Sequence, residues 1–429
     1  MSTTAITETN AMRTPSPREL PRLLTGLRSE RPLSLEEHMR LHGPLAHLDL
    51  IAEIEASGLR GRGGGGFPTG KKLRSVADRR GRPVVVVNGI EAEPASRKDK
   101  LLLRHLPHLV LDGAVAAAQA LGARKVVVVV DERSAGERAA LEHAIEIRRR
   151  HRLDGKIELS LAASPGGFVA GEETAVINLL NGGEAKPTFK PPLPFERGVG
   201  GAPTLVQNVE TLAHVALIAR HGGNWFREVG TADQPGTALL TVSGAVGRPG
   251  VYEIAFGTPL VSLLSEAGGV RGEPQAFLVG GYFGGWVPAT GARKLELSDS
   301  SLRDHGAVLG AGALVVLPAS ACGLVETARV TRYLATESAG QCGPCVHGLD
   351  AIAGALEHLA FPSGVGTVPH RLDRWLEQVR GRGACRHPDG TARFVASALE
   401  AFPGELDLHL RGRCSGHGGT VLPLEVGRR

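Results

Sequence analysis

One glycine-rich stretch constrains this chain more than any other feature. Residues 58–72 read Gly-Leu-Arg-Gly-Arg-Gly-Gly-Gly-Gly-Phe-Pro-Thr-Gly-Lys-Lys. Such a run does not suit the interior of a helix or strand, because glycine loses the most backbone entropy on ordering. Bare amide groups flanked by arginine and lysine side chains suit a phosphate, with a flat ring above it. A flexible surface loop is the alternative, but Phe67 and the Lys71-Lys72 pair favour a binding turn.

Length and composition exclude several classes of protein. A chain of 429 residues is too long for one core and predicts two to four domains. The net charge of +5 is scattered, and aromatic residues make up 4%, so we expect no nucleic-acid binding. The sequence contains no apolar run of eighteen residues, which predicts no membrane insertion. Residues 1–21 lack a signal core, so a cytoplasmic protein is expected, with membrane association only through partners.

The first half of the chain alternates between apolar strands and helical patterns. Strands are predicted over 83–88, 125–131 and 156–162, and helices over 101–121 and 134–150. This order predicts an α/β domain with a parallel sheet and right-handed crossovers.

The sequence pattern changes after about residue 232. Short strands with Gly and Pro turns, and a helix over 261–266, predict a small α+β module. Helical patterns from residue 326 onward predict an all-α bundle that carries the cysteines. The predicted units are a tail over 1–44, an α/β domain over 45–232, an α+β module over 233–321 and a helical domain over 322–429.

The glycine-rich stretch contains G-x-G-x-x-G at Gly61, Gly63 and Gly66. In a dinucleotide-binding βαβ unit this motif follows a strand and opens a helix. Here it follows a predicted helix and precedes the first strand, so the standard dinucleotide interpretation fails on context.

Four ordered blocks carry a family resemblance: residues 58–72, 88–94, 171–174 with 190–194, and 203–211. With them, the chain resembles the flavin- and NADH-binding subunit of respiratory complex I (the 51 kDa or F-type subunit). It is also similar to the relatives of that subunit in NAD-linked hydrogenases and formate dehydrogenases. The resemblance extends from about residue 45 to about residue 415.

The resemblance implies a fold and a reaction. The implied fold is a Rossmann-like FMN domain, a ubiquitin-like β-grasp module of the soluble-ligand-binding (SLBB) type, and a C-terminal four-helix iron–sulfur bundle. The implied activity is that of an NADH dehydrogenase: a hydride passes from NADH to FMN, and electrons leave through an iron–sulfur cluster to a partner or a quinone. The family's usual partner is a thioredoxin-like iron–sulfur subunit. No protein general base is implied, because FMN does the chemistry.

The same resemblance assigns residues to the cofactors. The implied flavin and nucleotide contacts are Gly61, Arg62, Gly63, Gly64, Gly66, Phe67, Lys72, Asn88, Glu91, Glu93, Gly171, Glu172, Glu173, Lys190, Asn208 and Thr211. Among them, Arg62 and Lys72 match residues near the flavin phosphate. Phe67 matches a stacking platform for adenine, and Glu93 and Lys190 match nucleotide contacts.

Several of these residues also have purely structural interpretations. Glu172 and Glu173 would suit the first turn of a helix, where acids interact favourably with the helix dipole. Lys190 precedes two prolines and could belong to a rigid linker. Asn208 could cap a helix, and Glu93 could lie in an ordinary turn.

Three positions depart from the family pattern, one in the flavin-binding block and two on the nucleotide side. Ile90 stands where an Asp is usual, Leu193 where a Phe is usual, and Ser75 where a second aromatic is common. Loss of a polar contact and of stacking should weaken flavin or NADH binding, since an aromatic platform contributes about 1 kcal/mol beyond burial. Ile90 and Leu193, together with Ala339 in the cysteine motif, keep open the alternative of a degenerate, non-catalytic paralogue that serves as a flavin-binding or scaffold subunit.

All five cysteines lie at or beyond residue 322. An odd set in a chain without an export signal indicates metal or redox chemistry more than disulfides. Cys342, Cys345 and Cys385 match the second, third and fourth cluster ligands of the family, whereas Ala339 stands in place of the first. Iron–sulfur clusters normally need four thiolates, so a 4Fe-4S cluster at this site is in doubt.

Three possibilities follow for the missing ligand. Cys414 supplies it, with Cys322 and His347 as weaker candidates, and the predicted ligand set is then Cys342, Cys345, Cys385 and Cys414. Otherwise three cysteines hold an open or incomplete cluster. In the third case the cluster is lost and the thiols pack as small apolar groups.

Overall fold

A computed structural model describes residues 19–28, 31–46, 49–361 and 368–424, without the side chains of 368–370. A four-stranded parallel sheet forms the centre of the first domain, in the order β3-β2-β1-β4. Its strands are β1 (Val84–Gly89), β2 (Lys125–Asp131), β3 (Glu158–Ser164) and β4 (Thr204–Asn208). Valine runs fill β1 and β2, as expected for strands that are buried on both faces. The predicted parallel sheet is confirmed.

Helices pack around this sheet. They are α1 (Leu35–His42), α2 (Leu50–Ser57), α3 (Thr69–Ala77), α4 (Lys98–His105), α5 (Pro107–Leu121), α6 (Ala135–Arg150), α7 (Glu173–Leu180) and α8 (Val209–Phe226). Helix α5 crosses α8 closely at Gly113, where an added Cβ would lie 1.8 Å from the carbonyl oxygen of Leu212. The backbone contact explains a glycine in the middle of a helix.

The prediction of one helix over 101–121 was wrong. The chain breaks before Pro107 into α4 and α5, because proline has no N–H to donate and its ring clashes with the preceding turn. Within the described ranges no single helix is long and apolar enough to cross a membrane. Helices α4 and α5 meet that test only as a pair, and they are bent by 95° at the break.

The described part of the expected N-terminal tail packs on the rest of the chain. Leu23 and Leu24 are buried in the core of the first domain. The backbone N–H groups of Arg22 and Leu24 donate to Oε2 of Glu253 at 2.8 and 3.1 Å. This segment therefore joins the first domain to the following module.

The second module contains a mixed sheet in the order β6-β5-β9-β7-β8. Its elements are β5 (Thr237–Gly244), β6 (Gly250–Ala255), α9 (Leu260–Glu266), β7 (Pro274–Val279), β8 (Gly285–Pro288), α10 (Asp299–Arg303) and β9 (Ala313–Pro318). Strands β5 and β9 pair in parallel and the other pairs are antiparallel. The prediction of an α+β module is confirmed.

The remaining described chain is helical. It forms α11 (Gly323–Thr336), α12 (Leu349–Ala360), α13 (Val368–Val379), α14 (His387–Ala401) and α15 (Pro403–Leu410), with a π-turn over Pro344–Gly348. Helix α14 packs on the second module, where Phe394 stacks on Trp286 with ring centroids 6.1 Å apart. The predicted boundaries at 44/45, 232/233 and 321/322 stay predictions.

Candidate functional site

A cavity of about 1270 Å³ lies where the three parts of the chain meet. Its wall includes the glycine loop (residues 61–66), the carboxyl end of β1 with residues 90–93, and residues 168–173. The second module adds residues near 280 and 310, and the helical domain adds residues 380–393. In open α/β sheets, ligands bind at the carboxyl ends of the strands, so this position is typical of a ligand site.

The glycine loop is fixed by hydrogen bonds. The N–H of Gly61 donates to the carbonyl of Phe67 at 2.9 Å, and the N–H of Arg62 donates to Oγ1 of Thr211 at 2.9 Å. The loop also lies against the start of α8, since an added Cβ on Gly63 would be 3.2 Å from Cβ of Asn208. A flexible surface loop is therefore excluded. The helix N-terminus beside the loop favours an anion at this end of the cavity.

Asn208 is both a helix cap and part of the cavity wall. Its Oδ1 accepts from the N–H of Thr211 at 3.2 Å, and its Nδ2 donates to Oδ2 of Asp99 at 2.6 Å. The structural interpretation of this residue is correct, and it does not conflict with a role in the cavity.

A buried ionic layer lies under the loop. The Nζ of Lys98 is 2.9 Å from both Oδ1 of Asp99 and Oε2 of Glu210. Burial raises the pKa of Asp99 to about 6, against the opposing effect of Lys98. Burial acts to raise the pKa of Glu210 as well, but Lys98, His214 and Arg62 together outweigh it and lower that pKa to about 2.

The side chain of Arg62 contacts the second module. Its guanidinium donates to the carbonyl of Thr237 at 3.0 Å and lies 4.6 Å from the ring centroid of Phe256. Burial lowers its pKa to about 10, although Glu210 opposes the shift. Arg62 thus joins the glycine loop to the second module and also lines the cavity, and its predicted place near the flavin phosphate stays a prediction.

Asn88 and Glu91 hold neighbouring backbone in place. The Nδ2 of Asn88 donates to the carbonyl of Gly171 at 2.7 Å, which ties β1 to the segment before α7. Glu91 accepts from the N–H of Asp99 at 3.1 Å and from the N–H of Lys100 at 3.0 Å. Both residues line the cavity, and Glu91 also satisfies the first turn of α4.

Glu93 is a buried carboxyl in the cavity wall. It accepts from the N–H of Ala95 at 3.1 Å and from the N–H of Tyr282 at 2.8 Å. Gly281 permits this approach, because an added Cβ would lie 2.6 Å from Oε2 of Glu93. Burial raises the pKa of Glu93 to about 7 against these two hydrogen bonds. The carboxyl therefore holds a loop of the second module.

Four charged residues form a network of ion pairs at one side of the cavity. The Nζ of Lys72 is 2.9 Å from Oε2 of Glu173, and the Nζ of Lys190 is 2.9 Å from Glu172 and 2.8 Å from Glu173. Burial acts to raise the pKa of Glu173, but the two lysines lower it to about 2. Glu172 also caps α7 by accepting from the N–H of Ala175 at 3.2 Å. The ammonium group of Lys72 is thus paired with Glu173 in this network.

Apolar groups at the cavity wall are partly open. Phe67 is 56% exposed, so one face of its ring is available to a ligand. Ser75 and Leu193 also line the cavity, which puts two of the departures from the aromatic pattern on this wall. Ile90 is buried among the valines of β1 and β2.

Three cysteines approach the opposite end of the cavity. Cys342 and Cys345 flank the start of the π-turn, and the electrostatic interactions of Cys345 include both Cys342 and Cys385. Cys385 lines the cavity itself. Ala339 is buried, and its backbone N–H bonds to the sulfur of Cys345. The position of the missing first ligand is therefore a methyl group beside Cys345.

Cys414 does not join these three cysteines. It belongs to a separate group with Cys322, Glu405 and His409, whose ligand atoms all lie within 4.8 Å of one another. The expectation that Cys414 completes the set of Cys342, Cys345 and Cys385 is corrected by this placement.

Comparisons with known proteins agree with the site. Three family models match: the Nuo51 FMN-binding domain over residues 54–217, the SLBB domain over 239–281, and the NADH-ubiquinone oxidoreductase-F iron-sulfur binding region over 320–409. An F-type subunit of the NADH-quinone oxidoreductase of Rhizobium meliloti is 33% identical over 371 residues, which are 83% of this chain and 86% of that protein. The F-type subunit of Streptomyces coelicolor is 33% identical over 88% of this chain and 86% of its own length.

A solved structure shows the same architecture. An air-oxidized NAD⁺-reducing [NiFe]-hydrogenase matches with a TM-score of 0.82 and 32% identity, covering 92% of this chain and 67% of that chain. The chain belongs to the family of F-type, 51 kDa subunits of NADH-quinone oxidoreductases. It is accordingly an NADH-oxidising FMN flavoprotein, with an FMN-binding α/β domain, an SLBB module and a helical iron–sulfur region.

Lys98, Asp99 and Gln207 are among the residues in the cavity wall of this F-type protein that sequence reasoning missed. Lys98 and Asp99 lie shortly after the block of residues 88–94. Their closeness to that block in the sequence was the signal that could have identified them as residues of the site. Gln207 lies inside the block 203–211, is 5% exposed, and its Nε2 has no hydrogen-bond partner among the residues that the structure describes. Buried amide groups are normally hydrogen-bonded, so the Nε2 of Gln207 is suited to donate a hydrogen bond to an acceptor on a ligand.

Proposed function

We propose that one continuous cavity holds FMN and NADH and leads their electrons toward an iron–sulfur group at Cys342, Cys345 and Cys385. The observation that supports this proposal is the cavity itself, since a single wall includes both the glycine loop and Cys385. A short path without intervening core is what electron transfer between two cofactors requires. FMN, when bound, accepts two electrons from NADH and releases them one at a time.

The glycine-loop end suits the flavin phosphate. Main-chain N–H groups of residues 63–66 and the N-terminus of α8 would supply donors without a bulky side chain. Gln207 would donate from its Nε2 to an acceptor on the flavin. Lys98 lines this end of the cavity, and Asp99 and Glu210 would hold its ammonium in place.

The opposite wall suits a nicotinamide nucleotide. The open face of Phe67 would stack on the adenine, in keeping with its exposure. Glu172 and Glu173 would accept from ribose hydroxyls, while Lys72 and Lys190 hold the two carboxylates in place. Gly171 leaves room beside the carbonyl of Ile90, because an added Cβ would lie 3.0 Å from it.

The cysteine end suits an iron–sulfur group only in part. Thiolates are the right donors, but Cys342, Cys345 and Cys385 are one short of the usual four. We propose a three-cysteine site, with the buried Ala339 at the position of the first ligand in the family. A thioredoxin-like iron–sulfur protein, or another redox protein, would take the electrons from this end.

Anaerobic flavin reduction tests the proposal. The purified chain is loaded with FMN, and NADH is added while the flavin absorption band is followed. Rapid bleaching supports the enzyme, and a bound flavin that NADH does not bleach supports the degenerate scaffold instead. Failure to bind FMN at all would refute the proposed flavin site.

A matched pair of variants locates the flavin. Gln207→Leu should weaken FMN binding about fivefold, because one hydrogen bond contributes about 1 kcal/mol. Gln275→Leu removes a glutamine whose Oε1 is likewise buried without a described partner but which lies outside the cavity wall. Equal affinities in the two variants would remove Gln207 from the proposed site.

A further inference from the structure

A second group of ligand-type side chains lies away from the cavity. Cys322 immediately precedes α11, Glu405 and His409 lie on α15, and Cys414 follows α15. The Sγ of Cys322 is 3.3 Å from Nε2 of His409 and 3.6 Å from Oε2 of Glu405. The Nε2 of His409 is 3.7 Å from the same carboxylate oxygen.

These separations match the edges of a tetrahedron around one small ion. Zinc binds sulfur at about 2.3 Å and nitrogen or oxygen at about 2.0–2.2 Å, so tetrahedral geometry separates its ligands by about 3.4–3.8 Å. The three measured distances between Cys322, Glu405 and His409 are close to this range. The distances from Cys322 to Glu405 and His409 also fit sulfur hydrogen bonds, which the metal would replace.

Neighbouring groups orient two of the four side chains. The Nδ1 of His409 is 3.1 Å from the carbonyl of Leu359, so we assign the ring proton to Nδ1 and the lone pair to Nε2, which faces the group. Metal-binding histidines commonly make this second hydrogen bond. The hydroxyl of Ser415 donates to Oε1 of Glu405 and leaves Oε2 toward Cys322.

We propose that Cys322, Glu405, His409 and Cys414 bind one Zn²⁺ ion in a four-coordinate structural site. Two thiolates with an imidazole favour zinc over calcium or magnesium, which prefer oxygen ligands. Each thiol releases its proton to solvent when the metal binds. Three of the ligands are buried and Cys414 is exposed, which gives the ion a route to the site. The iron–sulfur ligands proposed above are separate residues.

The site would fasten the C-terminal segment to the body of the chain. Beyond Cys414, an added Cβ on Gly416 would lie 2.7 Å from the backbone nitrogen of Cys322, so the segment packs tightly there. Further along, the N–H of Leu422 donates to Oε2 of Glu326 at 2.8 Å, and the hydroxyl of Tyr282 donates to the carbonyl of Pro423. Zinc would thus stabilise a segment that contacts the second module.

Metal analysis of the full chain tests the proposal. Protein purified without added metal should contain about one Zn²⁺ per chain, held by four side chains. A chelator should remove this zinc and lower the unfolding temperature, and added Zn²⁺ should restore both. His409→Gln should lower zinc affinity at least tenfold while the iron content of the protein stays unchanged.

His417→Ala is the matched control, because this exposed histidine lies near the group but outside it. It should keep its zinc. If His409→Gln does not fold, Co²⁺ added to the chelator-treated wild type decides: thiolate-to-cobalt and tetrahedral bands support the site. Reduced wild-type protein that neither contains nor takes up zinc would overturn the proposal. A disulfide between Cys322 and Cys414 in the purified protein would overturn it as well.

Discussion

The two long walls of the cavity are built in different ways. One wall, here called the floor, consists of the glycine loop, residues 88–93 and the start of α8. The other, here called the rim, consists of Lys72, Glu172, Glu173 and Leu193, with Lys190 paired to the two glutamates. Floor residues are held by main-chain hydrogen bonds and by buried charges. Rim residues are held by partly exposed ion pairs between side chains.

This difference separates the floor residues, which the fold requires, from the rim residues, which can be substituted. On the floor, a side chain at Gly63 would press against Asn208, whereas a rim side chain can be replaced with little effect on the fold. Leu193 lies on the rim, in agreement with this view. Ile90 is the exception on the floor, and it is accommodated because it packs among buried valines.

The two acids Glu93 and Glu173 allow the sharpest test, since their pKa values move in opposite directions. Burial raises the pKa of Glu93 from 4.5 to about 7, so the folded state holds a proton that the unfolded state loses. Its contribution to stability is therefore present at acidic pH and is lost as pH rises through 4.5 to 7. Relative to Glu93→Gln, the wild type should lose about 3 kcal/mol of unfolding free energy between pH 4.5 and 8.

Denaturant unfolding at several pH values measures this loss. Glu173 supplies the control, because the lysines beside it outweigh burial and lower its pKa to about 2. Its contribution is present above pH 4.5 and disappears only at more acidic pH. Glu173→Gln should thus show no pH-dependent difference from the wild type between pH 5 and 8. A parallel pH profile for Glu93→Gln and the wild type would contradict the interpretation of the floor.

Gly63→Val tests the floor through flavin binding. An added Cβ at this position already approaches Cβ of Asn208 at 3.2 Å, so a branched side chain should push the loop away from α8. Loss of two hydrogen bonds to a charged phosphate corresponds to about 100-fold weaker FMN binding. Fluorescence titration with FMN measures the affinity. Gly354→Ala in α12, where the nearest atom is 3.8 Å away, should bind FMN like the wild type.

Ala339→Cys tests the cysteine end of the cavity. The change places a thiol beside Cys345, where the family has its first ligand. We expect the iron–sulfur absorption to survive exposure to air at least about tenfold longer, since even an outer-shell partner alters metal affinity 10- to 100-fold. Ser338→Cys adds a thiol one position earlier and should have no such effect. Equal survival of the wild type and Ala339→Cys would mean that three cysteines suffice or that no cluster binds.

The sequence predicted the floor better than the rim and the cysteine end. Strand β2 was predicted with its observed bounds, and the glycine loop was recognised as a binding turn, because both depend on local backbone chemistry. The direction of the Arg62 side chain could not be predicted, since it depends on Thr237 and Phe256 in another module. The placement of Cys414 likewise depends on how α15 packs against α11, which spacing along the chain does not reveal.

Leu193→Phe gives the smallest expected effect and examines the rim alone. Leu193 is 36% exposed at the cavity wall, so a larger ring fits there without disturbing the core. Aromatic stacking contributes about 1 kcal/mol beyond burial, which corresponds to about fivefold tighter NADH binding. The KM for NADH should fall while FMN affinity stays constant, because the floor is untouched. Val261→Phe, at an exposed position in α9 outside the cavity wall, controls for the added ring. If both variants leave the KM unchanged, Leu193 does not contact the nucleotide, and its difference from the family has no bearing on NADH binding.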